Sequence, residues 1–91
     1  MIEPYKSKTL TGSKKALGQL KKVQTMIEND DYCMDILQQI RAVEGLLASL
    51  SANTLESHLH TCGQRAFSSN DTKTQNKIID ELVTAFKATK K

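Results

Sequence analysis

Aromatic residues are scarce in this chain, with no tryptophan, two tyrosines and two phenylalanines in 91 residues, which limits the core one copy can build. One domain is the ceiling at this length, and oligomerisation is the expected remedy for a thin core. The single proline, Pro4, stands near the start, so no proline breaks a helix further on. Two cysteines and no signal-like leader do not make a secreted disulfide framework, and the chain reads as cytosolic with reduced thiols. No apolar run approaches the roughly 20 residues of a membrane span, so no membrane partner is expected. No acid–base pair or activated nucleophile emerges from the pattern, so an enzyme is not expected.

Charge is modest in sum and uneven in distribution. The net charge is +3, yet Lys6, Lys8, Lys14, Lys15, Lys21 and Lys22 face only Glu3 across the first 22 residues. That basic segment suits a polyanion, although charge alone fits a solvated helix face equally well.

The apolar spacing is helical throughout. Residues 1–12, with Pro4 and several Ser, Thr and Lys, read as a flexible basic arm. From Ser13, a candidate cap, Ala16, Leu17, Leu20, Val23, Met26 and Ile27 recur at three- and four-residue steps to about residue 29. The Asp30-Asp31 pair ends this helix and caps the next, expected over 31–62 with the stripe Cys33, Ile36, Leu37, Ile40, Val43, Leu47, Leu50, Thr54, His58 and Cys62. Gly45 in that run would let a neighbouring helix approach closely. Gly63 is a plausible stop, although helix could run on through Arg65 and Phe67. After a loop at 68–71, Ile78, Ile79, Leu82, Val83 and Phe86 give a third helix over 72–88, ending in a lysine-rich tail. The expectation is an all-α, three-helix protomer, with residues 13–91 as one domain.

Cys33, His58 and Cys62 are the chemistry-bearing residues. His58 and Cys62 are four apart and share a helical face. Cys33 precedes them by 25 and 29 residues, separations that return it to within roughly 20° of that face but leave it about 38 to 44 Å away along one helix. An antiparallel second copy would set Cys33 of one chain beside His58 and Cys62 of the other, giving two such sites per dimer and a four-helix bundle from two helical hairpins. Two thiolates and an imidazole suit trigonal Cu(I), whereas Zn(II) usually seeks a fourth ligand. Otherwise the cysteines are small core hydrophobes and His58 a satisfied polar residue. His60 falls about 180° from Cys33 on the helix and reads as a surface histidine.

The stretch Met26-Ile27-Glu28, Tyr32-Cys33, Asp35-Ile36-Leu37, Gln39-Ile40, Ala42-Val43 and His58-Leu59-x-x-Cys62, together with Gly18-Gln19, resembles the central signature of the CsoR/RcnR repressors over residues 14 to 87. The resemblance implies a wholly helical dimer of dimers, a homotetramer that binds operator DNA and releases it when an inducer occupies the site between protomers. Cys, His and Cys at these positions is the pattern of that family's copper sensors, so the implied inducer is Cu(I). Persulfide sensors of the family keep both cysteines and generally lack the histidine, so His58 carries the choice between copper and reactive sulfur. Tyr32 and Glu81 match positions that link the liganding histidine to DNA affinity, against a plainer reading of Tyr32 as a packing residue and Glu81 as a surface acid. Relatives carry an arginine-rich run where this chain has Thr11-Gly12-Ser13-Lys14-Lys15. Lys14, Lys15, Lys21 and Lys22, with Arg41 as a further candidate, are therefore the expected DNA contacts, acting on phosphates and shape. A cytosolic copper buffer with the same ligands and no need of the lysines, and an inert helical oligomer, are the readings outside regulation.

Overall fold

A computed structural model describes residues 1–88. It is all-α: α1 spans Tyr5–Glu28, α2 Cys33–His58, α3 Gln64–Ser68 and α4 Thr72–Ala88, with a π-helical turn at Leu59–Gly63 joining α2 to α3. Since α2, the π-turn and α3 follow one another without a loop, the protomer consists of three helical runs. Residues 1–57 form one compact unit, and the residues from 58 onward form a second. Residues 89–91, the end of the expected lysine-rich tail, lie outside the described residues.

Helix α1 begins eight residues before Ser13, where the sequence placed its start, and takes in most of the expected arm. The first-turn amides explain this. The Ile2 carbonyl accepts from Lys6 N–H at 2.9 Å, and the Glu3 carboxylate accepts from the Ser7 amide at 2.8 Å and also from the Ser7 hydroxyl. Pro4 at the cap position has no N–H to satisfy. Ile2 N–H in turn donates to Ser57 Oγ at 3.1 Å, fastening the start of the chain to the end of α2. Ser13 is interior, and its hydroxyl donates back to the Leu10 carbonyl at 2.7 Å instead of capping.

The end of α1 is a Schellman closure. Asp30 takes a left-handed φ of 55°, its amide reaches Ile27 O at 3.1 Å, and the Asp31 amide reaches Met26 O at 3.0 Å. Asp30 thus ends α1 as the sequence indicated. The next helix is opened by the Tyr32 carbonyl, which accepts from Asp35 at 3.0 Å and Ile36 at 3.2 Å.

Within residues 1–57 the two helices form an antiparallel hairpin, with Ile2 against Ser57 and Gly12 against Leu50. The inward positions of α1 are Tyr5, Thr9, Gly12, Ala16, Gln19, Val23 and Met26. Those of α2 are Ile36, Gln39, Val43, Leu46, Leu50, Asn53 and Ser57, all buried or half-buried. Both sets step by three and four residues, the knobs-into-holes rhythm. Gly12 has a packing reason, since a Cβ there would stand 2.8 Å from Leu50 Cδ2. A Cβ at Gly45, by contrast, would meet nothing within 4 Å.

A second stripe on each helix is left exposed: Leu10, Leu17, Leu20 and Ile27 on α1, and Leu37, Ile40 and Leu47 on α2. Leu17 is 58% and Leu47 50% exposed. Each stripe lies roughly 100° further round its helix than the inward seam, in the same sense. In an antiparallel pair both therefore emerge on one face of the hairpin, and Cys33 shares that face. What the sequence presents as one broad stripe on α2 is two seams, one facing α1 and one open. Gly45 falls about 130° from the open seam and is not part of it.

In the second unit Gly63, Ala66 and Ile78 are buried. Gly63 has an ordinary helical φ of −65° and faces Ile78, so it serves packing against α4 and does not stop the helix. Of the two readings left open, helix continues, to Ser68. Asn70, with φ of 58°, makes the turn, and Asp71 caps α4: Oδ1 accepts from the Lys73 amide at 3.1 Å and the Thr74 amide at 3.4 Å, and Oδ2 accepts from the Thr74 hydroxyl at 2.6 Å.

Hydrogen bonds from Thr74, then Lys73, hold the Asp71 carboxyl below its ordinary value, and those from Ser7 do the same for Glu3. A lowered folded-state value stabilises above the unfolded-state pKa and is lost as pH falls through the folded one, so both caps weaken below about pH 4. Asp71→Ala should lower Tm at pH 7, with the gap from wild type narrowing as the pH falls below the ordinary carboxylate range, measured by circular dichroism melts.

Candidate metal site and nucleic-acid surface

Three side chains with soft or borderline donor atoms occupy two places in the fold. Cys33 is the first residue of α2, and His58 is the last, so the helix of 26 residues holds them about 38 Å apart. Cys62 follows one turn after His58, inside the π-turn. Both cysteines are free and exposed. Among the described residues no group of three His, Cys, Asp or Glu side chains converges to hold a metal.

His58 and Cys62 lie in one cavity with Glu81 of α4. His58 Nε2 stands 2.6 Å from Glu81 Oε2, with both side chains a little over one-third exposed. An imidazole N–H donating to a carboxylate fixes ring orientation and tautomer, and here it leaves Nδ1 as the nitrogen that can reach a metal. Glu81 comes to His58 because Asp71 starts α4 at Thr72 and Ile78 seats that helix on Gly63. It accordingly has a partner and is no plain surface acid. Tyr32 precedes α2 and is 70% exposed.

The π-turn alters the local phase. The Gln64 amide reaches the Leu59 carbonyl five residues back, and the Thr61 hydroxyl donates to the His58 carbonyl at 3.2 Å. One wide turn thus separates Cys62 from the regular helix bearing His58. A turn of this kind is a recurrent feature of functional sites. The same hydroxyl stands 3.8 Å from Cys62 Sγ, a weak contact to the thiol.

The lysines of α1 divide into two rows. Lys8, Lys15 and Lys22 repeat every seven residues beside the hairpin seam, on the side opposite the exposed leucines. Lys8 and Lys15 line a groove of about 460 Å³ with Thr11 of α1 and Ser49 and Asn53 of α2. Lys14 and Lys21 fall about 110° away on the outer side of α1. Arg41 borders a smaller hollow with Met34, Leu37 and Gln38. Lys8 was missed as a candidate because it falls in the segment assigned to the arm; its seven-residue spacing from Lys15 is the signal that finds it.

The family model described as metal-sensitive transcriptional repressor matches residues 5–88. The copper-sensing transcriptional repressor CsoR of Bacillus subtilis (strain 168) is 40% identical over 74 residues, 81% of this chain and 70% of that protein. The copper-sensing transcriptional repressor RicR of Mycobacterium tuberculosis is 47% identical over 49 residues, 54% of this chain and 51% of that protein. The CsoR of Mycobacterium ulcerans is 37% identical over 84 residues, 92% of this chain and 69% of that protein. No solved structure matches the chain significantly.

Removing the partner of His58 should be felt at the metal. Glu81→Ala is expected to weaken soft-metal binding about 10- to 100-fold, measured by competition with a chelator. Glu56→Ala, an exposed change on α2, should leave the affinity unaltered.

Proposed function

Because this chain belongs to the family of metal-sensitive transcriptional repressors, we propose that it is a copper(I)-responsive repressor that binds operator DNA when metal-free and releases it when Cu(I) binds. The observation that carries the metal assignment is His58, held by Glu81 through Nε2 with Nδ1 available, one turn from the free thiol of Cys62. The third ligand is Cys33 of a second chain. An antiparallel dimer through the open seam of leucines and Ile40 sets the start of one α2 against the end of the other, and it covers apolar surface that the protomer leaves in water. Two thiolates and one imidazole complete a trigonal Cu(I) site without the fourth ligand Zn(II) favours. In that dimer Tyr32 of the second chain arrives beside the His58–Glu81 pair, where its hydroxyl can join the same network. The dimers pair further into a tetramer, for which the exposed Ile79, Leu82, Val83 and Phe86 stripe of α4 supplies apolar surface. The residues of one chain then act as one regulatory module in the cytosol, without catalysis.

Operator DNA is held on the opposite face. Lys8, Lys15 and Lys22 place three point charges along the hairpin at about 10 Å intervals, and the small residues Ser49 and Gly45 let the phosphate backbone approach α2. Phosphate contacts position a protein on DNA without reading bases, so much of the operator selectivity is through shape. Lys14, Lys21 and Arg41 flank this surface and contribute to the field.

Reactive sulfur is the second reading, favoured by two exposed free thiols. A sulfur bridge between Cys33 and Cys62 of different chains requires no imidazole, so a persulfide sensor responds fully as His58→Ala and a copper sensor does not.

Titrating the operator complex with Cu(I) under reducing conditions should release the DNA, followed by fluorescence anisotropy; undiminished affinity at saturating copper defeats the proposal. By linkage, DNA weakens copper binding by the same factor. Lys8→Ala, Lys15→Ala and Lys22→Ala should each flatten the slope of log K against log salt by about 0.9, with Lys14→Ala and Lys21→Ala changing it less.

A further inference from the structure

The cavity beside His58 and Cys62 has a volume of about 390 Å³, far more than a metal ion needs and within the range of small-molecule sites. Its charges are also unsuited to a bare cation. Arg65 of α3 and Lys77 of α4 line it, and its one carboxylate, Glu81, is already engaged by His58. Two cations beside a binding site raise the cost of bringing in Cu⁺ and lower the cost of bringing in an anion. The arrangement therefore fits a metal that arrives inside a negatively charged complex.

We propose that this cavity receives Cu(I) as its complex with a small anionic thiol, with Arg65 and Lys77 holding the carboxylates of the carrier while the metal passes to Cys62 and His58. The inference rests on the copper reading above and adds the form in which copper enters. The transfer is a ligand exchange. A copper–sulfur bond to Cys62 forms, the bond to the carrier sulfur breaks, and the proton of the Cys62 thiol leaves on the carrier. Copper remains Cu(I) throughout, and no oxidant or reductant is required. Guanidinium forks match carboxylates bidentately, and Lys77 adds a point charge.

The test compares donors on the full-length protein by stopped flow, following the ultraviolet band of copper–thiolate bonds. The donors are Cu(I)–glutathione, Cu(I) with the neutral thiol 2-mercaptoethanol, and Cu(I)–acetonitrile. The Arg65→Ala, Lys77→Ala double variant should take copper from glutathione about tenfold more slowly at low salt, while its rate with the neutral thiol matches wild type and its rate with the cationic acetonitrile complex is equal or faster. Arg65→Lys with Lys77→Arg, which keeps both charges, should recover most of the rate. Equal rates for variant and wild type with glutathione overturn the proposal. Equal slowing with all three donors also overturns it, because the residues would then be supporting the fold and not recognising the carrier. Operator release by Cu(I)–acetonitrile separates the two levels: if wild type and variant both release DNA while the glutathione rates agree, the repressor reading stands and the cavity proposal alone falls.

Discussion

Helix α2 has one surface and two apolar obligations on it. Its inward seam, from Ile36 to Ser57, is met by α1, and the open seam through Leu37, Ile40 and Leu47 is left exposed. Burying apolar surface is worth about 25 cal/mol per Å², and the five apolar residues buried among the described residues, Ala16, Val23, Val43, Ala66 and Ile78, include no leucine and no aromatic. The larger side chains are on the open faces. In the proposed pairing such a protomer would gain much of its stability from its partner, so folding and assembly would be coupled. The open seam carries Cys33 at one end and leads to His58 at the other, which makes the surface that demands a second copy the same one that carries the proposed ligands.

The hydrogen bond from His58 to Glu81 joins the last residue of α2 to α4. Without it, the imidazole at the end of α2 would choose among rotamers and offer either nitrogen. With it, the imidazole is held by α4, which is placed by the Asp71 cap and the Ile78–Gly63 contact, so metal capture at the proposed site would be sensitive to where α4 sits. A metal that draws on Nδ1 strengthens the N–H···carboxylate bond on the opposite side of the ring, since the imidazole becomes a better donor as it gives up electron density. At the proposed site, metal occupancy and α4 position would thereby be linked through a single side chain.

The sequence disclosed these arrangements unevenly. The end of α1 at Asp30 and the start of α4 after Asp71 were legible because each is marked by local turn or cap chemistry, and the expected loop at 68–71 is shortened to 69–71 because Ser68 stays helical. The start of α1 was not. Tyr5, Thr9 and Gly12 continue the seam of Ala16 and Val23, but they are polar or small, Gly12 because the Leu50 side chain fills the space a Cβ would take, so no apolar rhythm announces them. Hydropathy likewise merged the two seams of α2, as both are apolar and lie only about 100° apart. The π-turn was invisible, since a single wide turn depends on how α4 packs and on the Thr61 hydroxyl, neither of which has a periodic signature. The juxtaposition of His58 and Glu81, 23 residues apart, was reached by family resemblance; spacing alone left Glu81 as one of the two acids on α4.

Charge is too weak to explain how occupancy of such a site would reach the DNA. Replacing two thiol protons by one Cu⁺ changes the local charge by one negative unit. His58 lies nine residues from Ser49 in the basic groove, about 14 Å along α2, and a unit charge acts across that distance through water with only about 0.3 kcal/mol before salt screening. At physiological ionic strength the Debye length is about 8 Å, which reduces this further. Effective regulation requires a coupling of about 1–3 kcal/mol. The difference would have to come from geometry: at the proposed site a metal bridging the start of one α2 to the end of another would set how two hairpins lie against each other, and with them the spacing of two lysine rows facing one DNA backbone. On this argument the proposed ligands would act as a clamp on helix register, and the proposed phosphate-facing lysines would detect the result through their distance from one another.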